Sequence, residues 1–427
     1  MSSLKTTVRA LAIAIMALTN GTAGAGELGD LLQAVLDHPQ VRAGARQTEL
    51  AQAQAEAAKG RYFGNASLSA GWHQYEHPRV VGVFTPGLTP PDTALTAERI
   101  SQVGINYSLP VDVSGVIAAA RERAGKDLAA AELLARQQTL LKLHQAASAY
   151  FTLQALQRQG EALAVAEKRV AATVVRVKKE VELGKVPGID ARFAESELAR
   201  LEADRAQLDG ALAQAQADLA EASGKEGFQP AAPQSTAPTW EVGEDTLSAR
   251  IAQVRQDAAR AQAEEARRAL WPSLTLDAGA ARNFGNGDSR DTWVVGGVVS
   301  LPLGVTARRQ ADAQRLAAEA AREQKEAARR DGTRQLAALR AAYDAALADT
   351  RALEKEAEYR DQVVTVQTEM QRLNNQTLEN LFRHERDLLD ARYRLAQAKA
   401  RAAAAWSSAQ VLLGMAPEIY IARWETP

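Results

Sequence analysis

The sequence contains no cysteine in its 427 residues. This absence excludes disulfides, thiolate catalysis, cysteine-ligated zinc and the acylated cysteine of a lipoprotein. Aromatic residues are also few, at 5% of the chain, and alanine is the commonest apolar residue. Because alanine favours helices and lets them approach closely, this composition indicates long, closely packed helices and no bulky globular core.

Neither sign of charge is in excess, since 51 basic and 52 acidic residues give a formal net charge of −1. No basic surplus indicates nucleic acid, and no acidic surplus indicates a solvating tail. Long apolar runs are missing as well, which predicts that no helix spans a membrane. If the protein enters a membrane, strands must do so.

The N-terminus has the pattern of a secretory signal peptide. Lys5 and Arg9 precede a short apolar run at residues 10–18, and Ala23, Gly24 and Ala25 follow as a small-residue cleavage site. We therefore predict that residues 1–25 are removed on export and that cleavage follows Ala25.

The rest of the chain is an internal duplication. Residues 103–110 match residues 295–302 at an offset of 192, and residues 183–224 match residues 373–414 at an offset of 190. Blocks in the same order at nearly constant offsets indicate two structural repeats. We place the first repeat at 26–224, a proline-rich connector at 225–243, the second repeat at 244–414 and a C-terminal tail at 415–427.

Each repeat predicts the same elements: a helix, two strands closed by a Leu-Pro stop, and two long helices of which the second ends at glycine. The predicted strands lie at 67–73, 102–109, 273–280 and 292–301. The predicted helices lie at 39–61, 112–183, 189–223, 245–270, 306–373 and 377–413. In the first long helix, a narrow apolar seam runs from Val113 through Ile117 and Ala120 to Gln138 and Leu141, which is typical of a coiled coil.

The strands alternate apolar and polar residues, as with Val103, Ile105 and Tyr107 against Gly104 and Asn106. Such alternation suits a membrane barrel strand, although two ordinary soluble hairpins fit it equally well. Four strands cannot close a membrane barrel, which needs about eight or more. Backbone groups cannot stay unpaired in lipid, so strands that span a membrane predict that several chains share one barrel.

No pattern of the sequence indicates catalysis. The histidines are scattered, and nucleophile-elbow, zinc-protease, phosphate-loop and dinucleotide motifs are missing. His73 and His77 lie beside Glu76 at the end of a predicted strand and in the loop after it, which permits a metal site, but satisfied or solvated loop histidines fit better. We predict that the protein is not an enzyme and has no catalytic, cofactor-binding or metal-binding residues.

Five segments carry a resemblance to a known family: QVRAGARQTELAQAQAEAAKGRYF, VGINYSLPV, VGGVVSLPLG, LGKVPGIDARFAESEL and LNNQTLENLFRHERDLLDARYRLAQA. Their order and spacing resemble the TolC-like outer-membrane efflux proteins (outer membrane factors) over essentially the whole mature chain. The resemblance implies a mostly α fold with a small β part. It also implies a homotrimer whose chains each give four strands to one shared transmembrane β-barrel and extend long coiled-coil helices into the periplasm.

In that family the turns between the long helices form a periplasmic tip, where adaptor proteins dock and the channel closes. Gly184, Val186 and Asp190 fall on the family's positions for the first turn, whereas Lys185 and Ile189 depart from them. The resemblance implies docking at the two turns, which comprise Gly184, Lys185, Val186, Pro187, Gly188, Asp190, Leu373, Asn374 and Asn375. It also suggests that gate salt links form among Asp190, Arg372, Glu379 and Arg383.

The implied function is a passive channel subunit in the outer membrane. Its partners would be outer-membrane lipid, a periplasmic adaptor (membrane fusion) protein and an inner-membrane pump. Drugs, heavy metals and secreted proteins stay open as cargo. The alternative is a soluble periplasmic coiled-coil scaffold or adaptor whose hairpins do not enter lipid.

Overall fold

The computed structural model describes residues 26–81, 95–230, 237–240, 243, 245–373 and 375–425. The predicted signal peptide, part of the connector and Asn374 lie outside the described residues. Eight α-helices and four strands cover most of the described chain. The helices are α1 Gly26–Val35, α2 Pro39–Gly60, α3 Val116–Glu182, α4 Gly188–Ser223, α5 Leu247–Arg268, α6 Val305–Arg372, α7 Leu378–Leu413 and α8 Pro417–Glu425.

The four strands form one antiparallel sheet in the order β1-β2-β3-β4. Their bounds are β1 Asn65–Val81, β2 Leu95–Val111, β3 Ser273–Gly285 and β4 Asp288–Ser300. Asn286 and Gly287 join β3 to β4 with φ of 50° and 82°. A two-residue hairpin turn whose twist matches that of the strands needs positive φ at both of its residues. Asparagine followed by glycine is a preferred pair for such a turn. The predicted strands are confirmed, and all four are longer than predicted.

The predicted Leu-Pro stop is wrong in the first repeat, because Pro110 lies inside β2 and pairs with Thr275 of β3. β1 begins at Asn65, opposite Ser108, so the last residues of β2 have a neighbour on one side only. A proline that lacks an N–H is tolerated at such an edge position. In the second repeat, Pro302 follows β4 as predicted.

The described chain divides into two compact units. One takes its residues from 1–44, 136–247 and 331–427, and the other consists of residues 45–135 and 248–330. The second unit holds the sheet and the adjoining parts of α3 and α6. The first unit holds a core of apolar side chains from α3, α4 and α7, including Leu163, Val177, Leu201 and Phe382.

The predicted seam of α3 is only partly right. Val113, its first residue, precedes α3 and is 60% exposed, whereas Ile117 and Ala120 are buried. Gln138 and Leu141 are exposed, and Leu140 and Leu143 are fully buried in their place. An α-helix has 3.6 residues per turn, so a seam with strict heptad spacing drifts around the helix by about 20° per heptad. The buried face therefore moves to neighbouring positions along α3.

Two short helices were not predicted, and they belong together. α1 and α8 pack against each other in the first unit. α8 buries Tyr420, Ile421 and Trp424, and the Trp424 ring lies 4.9 Å from the rings of both Phe151 and Trp406. Part of the predicted C-terminal tail is thus a helix whose aromatic side chains pack in the core of the first unit.

Within the residues that the structure describes, no helix combines the length and apolarity needed to cross a bilayer.

Candidate functional site: the helix turns and the strand face

The first turn between long helices closes α3 with a left-handed glycine. Gly184 has φ of 68°, and its N–H donates to the carbonyl of Val181 at 2.9 Å. The N–H of Lys185 donates to the carbonyl of Glu180, also at 2.9 Å. These two bonds form a Schellman motif, which satisfies the last carbonyls of the helix and stops it. Pro187 then precedes α4 in an extended conformation.

The second turn has one of these two bonds at the matching position. The N–H of Asn375 donates to the carbonyl of Met370 at 2.9 Å, which equals the Lys185 bond after a shift of 190 residues. Thr377 caps α7 by accepting the N–H of Asn380 at 3.3 Å, whereas Pro187 at the matching position has no side-chain cap. The two turns therefore share a closing backbone bond and differ in how the next helix begins.

The turns expose apolar side chains beside polar ones. Leu183, Ile189 and Leu373 are 61%, 67% and 68% exposed in the single chain. Val186 instead packs against the core cluster of the first unit.

The four predicted gate charges do not link to one another within the chain. Arg372 pairs with Glu369 of its own helix at 2.8 Å. Among the described residues, no ion pair includes Asp190, Glu379 or Arg383. A gate built from these charges therefore needs other chains, and their gating role stays a prediction.

A buried ionic cluster near the turns was not predicted from sequence. Glu385 of α7 is 7% exposed and lies 3.5 Å from Arg169 of α3. Arg169 also contacts Asp361 of α6 at 3.4 Å, and Asp361 accepts a 2.8 Å bond from Arg392. Burial raises the pKa of the Glu385 carboxyl, and the neighbouring Arg169 only partly offsets that effect.

Replacing Glu385 with glutamine is expected to stabilise the protein at neutral pH. Folding raises the pKa of Glu385, so between the unfolded and the folded pKa the folded state binds more protons than the unfolded state. The free energy of unfolding therefore falls as pH rises from the unfolded to the folded pKa. Glu385→Gln removes this loss, so its thermal midpoint should exceed wild type by a few degrees at pH 8 and match it near pH 4. The exposed Glu369→Gln is the control. If the thermal midpoint of Glu385→Gln differs from that of wild type by the same amount at every pH, the expectation is wrong.

The histidine pair is placed differently from the prediction. His73 and His77 both lie inside β1, which continues to Val81, and not in a loop after it. The register of β1 shifts between Gln74 and Arg79, so the region of Glu76 is an irregularity of the strand. In the described part of the chain, no three His, Asp or Glu side chains converge as metal ligands.

The register of the sheet joins the predicted apolar positions into one face. Leu68 pairs with Ile105, Ile105 with Ala280, and Ala280 with Trp293, and directly opposed residues share a face. The other apolar members of this face are Ala66, Ala70, Trp72, Val103, Tyr107, Leu109, Val111, Leu274, Leu276, Ala278, Phe284, Val295 and Val299. We call this set the apolar strand face. Towards the β3–β4 turn the same face also carries Arg282 and Asp291, which pair with one another at 2.6 Å.

The apolar strand face is exposed in the single chain, with Leu68 and Trp293 each 80% exposed. The opposite face carries mainly Ser, Asn, Thr and Gly. Close packing there requires glycine, since a side chain at Gly279 would collide with the amide of Asn106. Trp72 and Trp293 lie on the apolar strand face, and Trp271 lies two residues before β3. A strand that lies between lipid and water has one apolar face and one polar face.

The fold is that of outer-membrane channel proteins. The chain is similar to VceC from Vibrio cholerae, with 21% identity, a TM-score of 0.78 and coverage of 91% of this chain and 96% of that one. It is also similar to CusC, with 16% identity, a TM-score of 0.76 and coverage of 92% and 94%. For the MtrE outer membrane channel of Neisseria gonorrhoeae, the identity is 18%, the TM-score 0.74 and each chain is covered to 93%.

The outer membrane efflux protein family model matches residues 31–225. No curated protein matches the sequence. The family match and the shared fold confirm the predicted resemblance to the TolC-like outer-membrane efflux proteins.

Proposed function

We propose that this protein is a passive channel subunit of the outer membrane. The apolar strand face carries the proposal, because it spans all four strands and is backed by a polar, glycine-rich face. A face of this kind is stable when lipid covers it and water fills the other side. The repeat boundaries at 26–224 and 244–414 are part of this proposal.

Membrane insertion requires other copies of the chain. In the described residues, β1 and β4 are the outer strands of a sheet with only four members, so each has one neighbour. Open edges do not survive in hydrocarbon, where every backbone group needs a partner. Three chains would supply about 12 strands, which is a number that closes a barrel. A homotrimer with a long helical part in the periplasm meets this requirement.

The proposed partners of the helix turns are a periplasmic adaptor and, through it, an inner-membrane pump. The exposed Leu183, Ile189 and Leu373 support a docking role for the two turns. A wide water-filled channel selects by size and charge, so the pump would set the specificity. Drugs, metal ions and proteins remain open as cargo, and we assign the channel no enzymatic activity.

Fractionation of a bacterium that expresses the full-length chain tests this proposal. We expect heat-resistant trimers in the detergent-extracted outer membrane. The alternative, a soluble periplasmic scaffold or adaptor, predicts recovery in the soluble periplasm. That result would contradict the proposed channel, because a protein in the soluble periplasm has no lipid against its apolar strand face.

Removing two charges of the predicted gate is expected to raise leak. If Asp190 and Arg383 pair between chains, the variant with Asp190→Ala and Arg383→Ala lacks a link that holds the turns together. Its resting conductance in planar bilayers should then rise several-fold. Asp209→Ala with Arg351→Ala, two exposed charges away from the turns, is the control. Unchanged leak in properly assembled trimers would remove these charges from the gate.

A further inference from the structure

A groove of about 710 Å³ lies between α5 and α6 in the unit that contains the sheet. Its lining includes the small residues Ala263, Ala311 and Ala318. Five arginines also line it, namely Arg260, Arg267, Arg308, Arg315 and Arg322. On each helix these arginines recur every seven residues, which is about two turns, so they share one side of the helix.

The charges of this groove do not balance. Glu264 pairs with Arg267 at 2.7 Å and Glu319 pairs with Arg315 at 3.1 Å. Hydrogen bonds from Arg267 and Arg268 lower the pKa of Glu264 to about 2, so Glu264 is ionised and already engaged.

The remaining three guanidinium groups are those of Arg260, Arg308 and Arg322. Within the described part of the chain, none of them takes part in an ion pair, and the same holds for Asp312. Three unpaired cations against one unpaired anion leave the groove with a surplus of positive charge.

Gln256 supplies a second, independent observation. It lines the groove, is fully buried, and both polar atoms of its side-chain amide lack a hydrogen-bond partner among the described residues. Buried amides are almost always hydrogen-bonded, because an unpaired one loses its contacts with water and gains nothing. An orphaned amide in a groove therefore indicates a missing polar partner.

We propose that this groove binds a phosphate group. Arg260 and Arg322 would bind its oxygens at the end of the groove farthest from the strands. Gln256 lies at the same end, and its side-chain N–H would donate to an oxygen of the same ligand. Guanidinium groups match phosphate because their planar N–H donors engage two oxygens at once.

The phosphate has two possible sources: an anionic phospholipid headgroup or a soluble phosphate compound. Leu270 in the groove is three residues before β3, and Arg308 is eight residues after β4. Strands that lie in the membrane would thus place the Leu270 end of the groove at the level of lipid headgroups. Gln256 is 14 residues before Leu270, so its end of the groove lies about 21 Å farther from the strands. The lipid source rests on the proposed function, whereas the soluble source does not.

Two probes distinguish these sources on full-length trimers in detergent. One is dioleoylphosphatidylglycerol in mixed micelles, and the other is sodium pyrophosphate at fixed ionic strength. The groove variant is Arg260→Gln with Arg322→Gln. The control carries Arg255→Gln and Arg309→Gln, which remove the same charge from exposed arginines of α5 and α6 outside the groove.

We expect the groove variant to bind at least about tenfold more weakly than wild type, because it loses two charge-assisted contacts. The control should stay within about threefold, since its arginines do not line the groove. Binding of both probes assigns the groove to phosphate in general, and binding of one assigns it to that source. Binding of neither probe by wild type, or an equal loss in both variants, would overturn the proposal.

Gln256→Met keeps the proposal testable if the groove variant does not assemble. This change retains every charge but removes the orphaned amide. It should weaken binding several-fold and raise the thermal midpoint of the ligand-free trimer. Unchanged affinity would remove the amide from the site and contradict the proposal. Loss of membrane location with retained pyrophosphate binding would instead contradict only the channel function.

Discussion

Arginine at position 295 is expected to abolish outer-membrane trimers, whereas arginine at the adjacent position 294 is expected to leave them intact. Val295 belongs to the apolar strand face, and Val294 belongs to the opposite face of the same strand. Both are near the middle of β4, where an arginine that faces lipid costs about 2–4 kcal/mol per chain. In a shared barrel this cost recurs in every chain.

The two variants are closely matched controls for one another. Val295 and Val294 are 71% and 62% exposed in the single chain, so neither change disturbs a packed core. The measurement is the fraction of protein recovered as heat-resistant trimer from outer membranes. Equal recovery of both variants would mean that lipid does not contact the apolar strand face. Loss of Val294→Arg alone would mean that the two faces are reversed.

Trp406→Ala is expected to be the most damaging single truncation in the helical part. Trp406 is fully buried, contacts Tyr420 and Trp424 of α8, and donates its indole N–H to the carbonyl of Thr239 at 3.1 Å. Truncating a buried tryptophan to alanine costs about 3–5 kcal/mol. The thermal midpoint should fall well below that of wild type, and α8 should become sensitive to protease.

Tyr359→Ala is the control for this prediction, because Tyr359 is an exposed aromatic residue of α6 in the same unit. Exposed substitutions of this kind change stability by about 0.5 kcal/mol or less. If Trp406→Ala and Tyr359→Ala unfold at the same temperature, α8 does not contribute to the core in solution.

The repeated elements could be predicted from sequence because their signals are long. Helices of 67 and 68 residues carry many turns of periodicity, and alternation over two strands indicated which residues share a face. Gly224 and Gly414, predicted to end their helices, do adopt positive φ.

The features that sequence missed depend on contacts between distant segments. α8 has only nine residues, too few to be stable as an isolated helix, and it forms because Phe151 and Trp406 pack against it. Glu385 looks like any charge on a helix surface until the fold brings Arg169 beside it. Gln256 likewise gives no sign in the sequence that its amide lacks a partner.

The mass of the detergent-extracted protein tests the central claim most directly, because four strands per chain form a closed barrel only when chains share it. The full-length chain has a mass of 45.8 kDa. Native mass spectrometry of protein released from outer membranes should give three times the mass of the chain that remains after removal of residues 1–25. A monomer in that membrane extract would contradict the account.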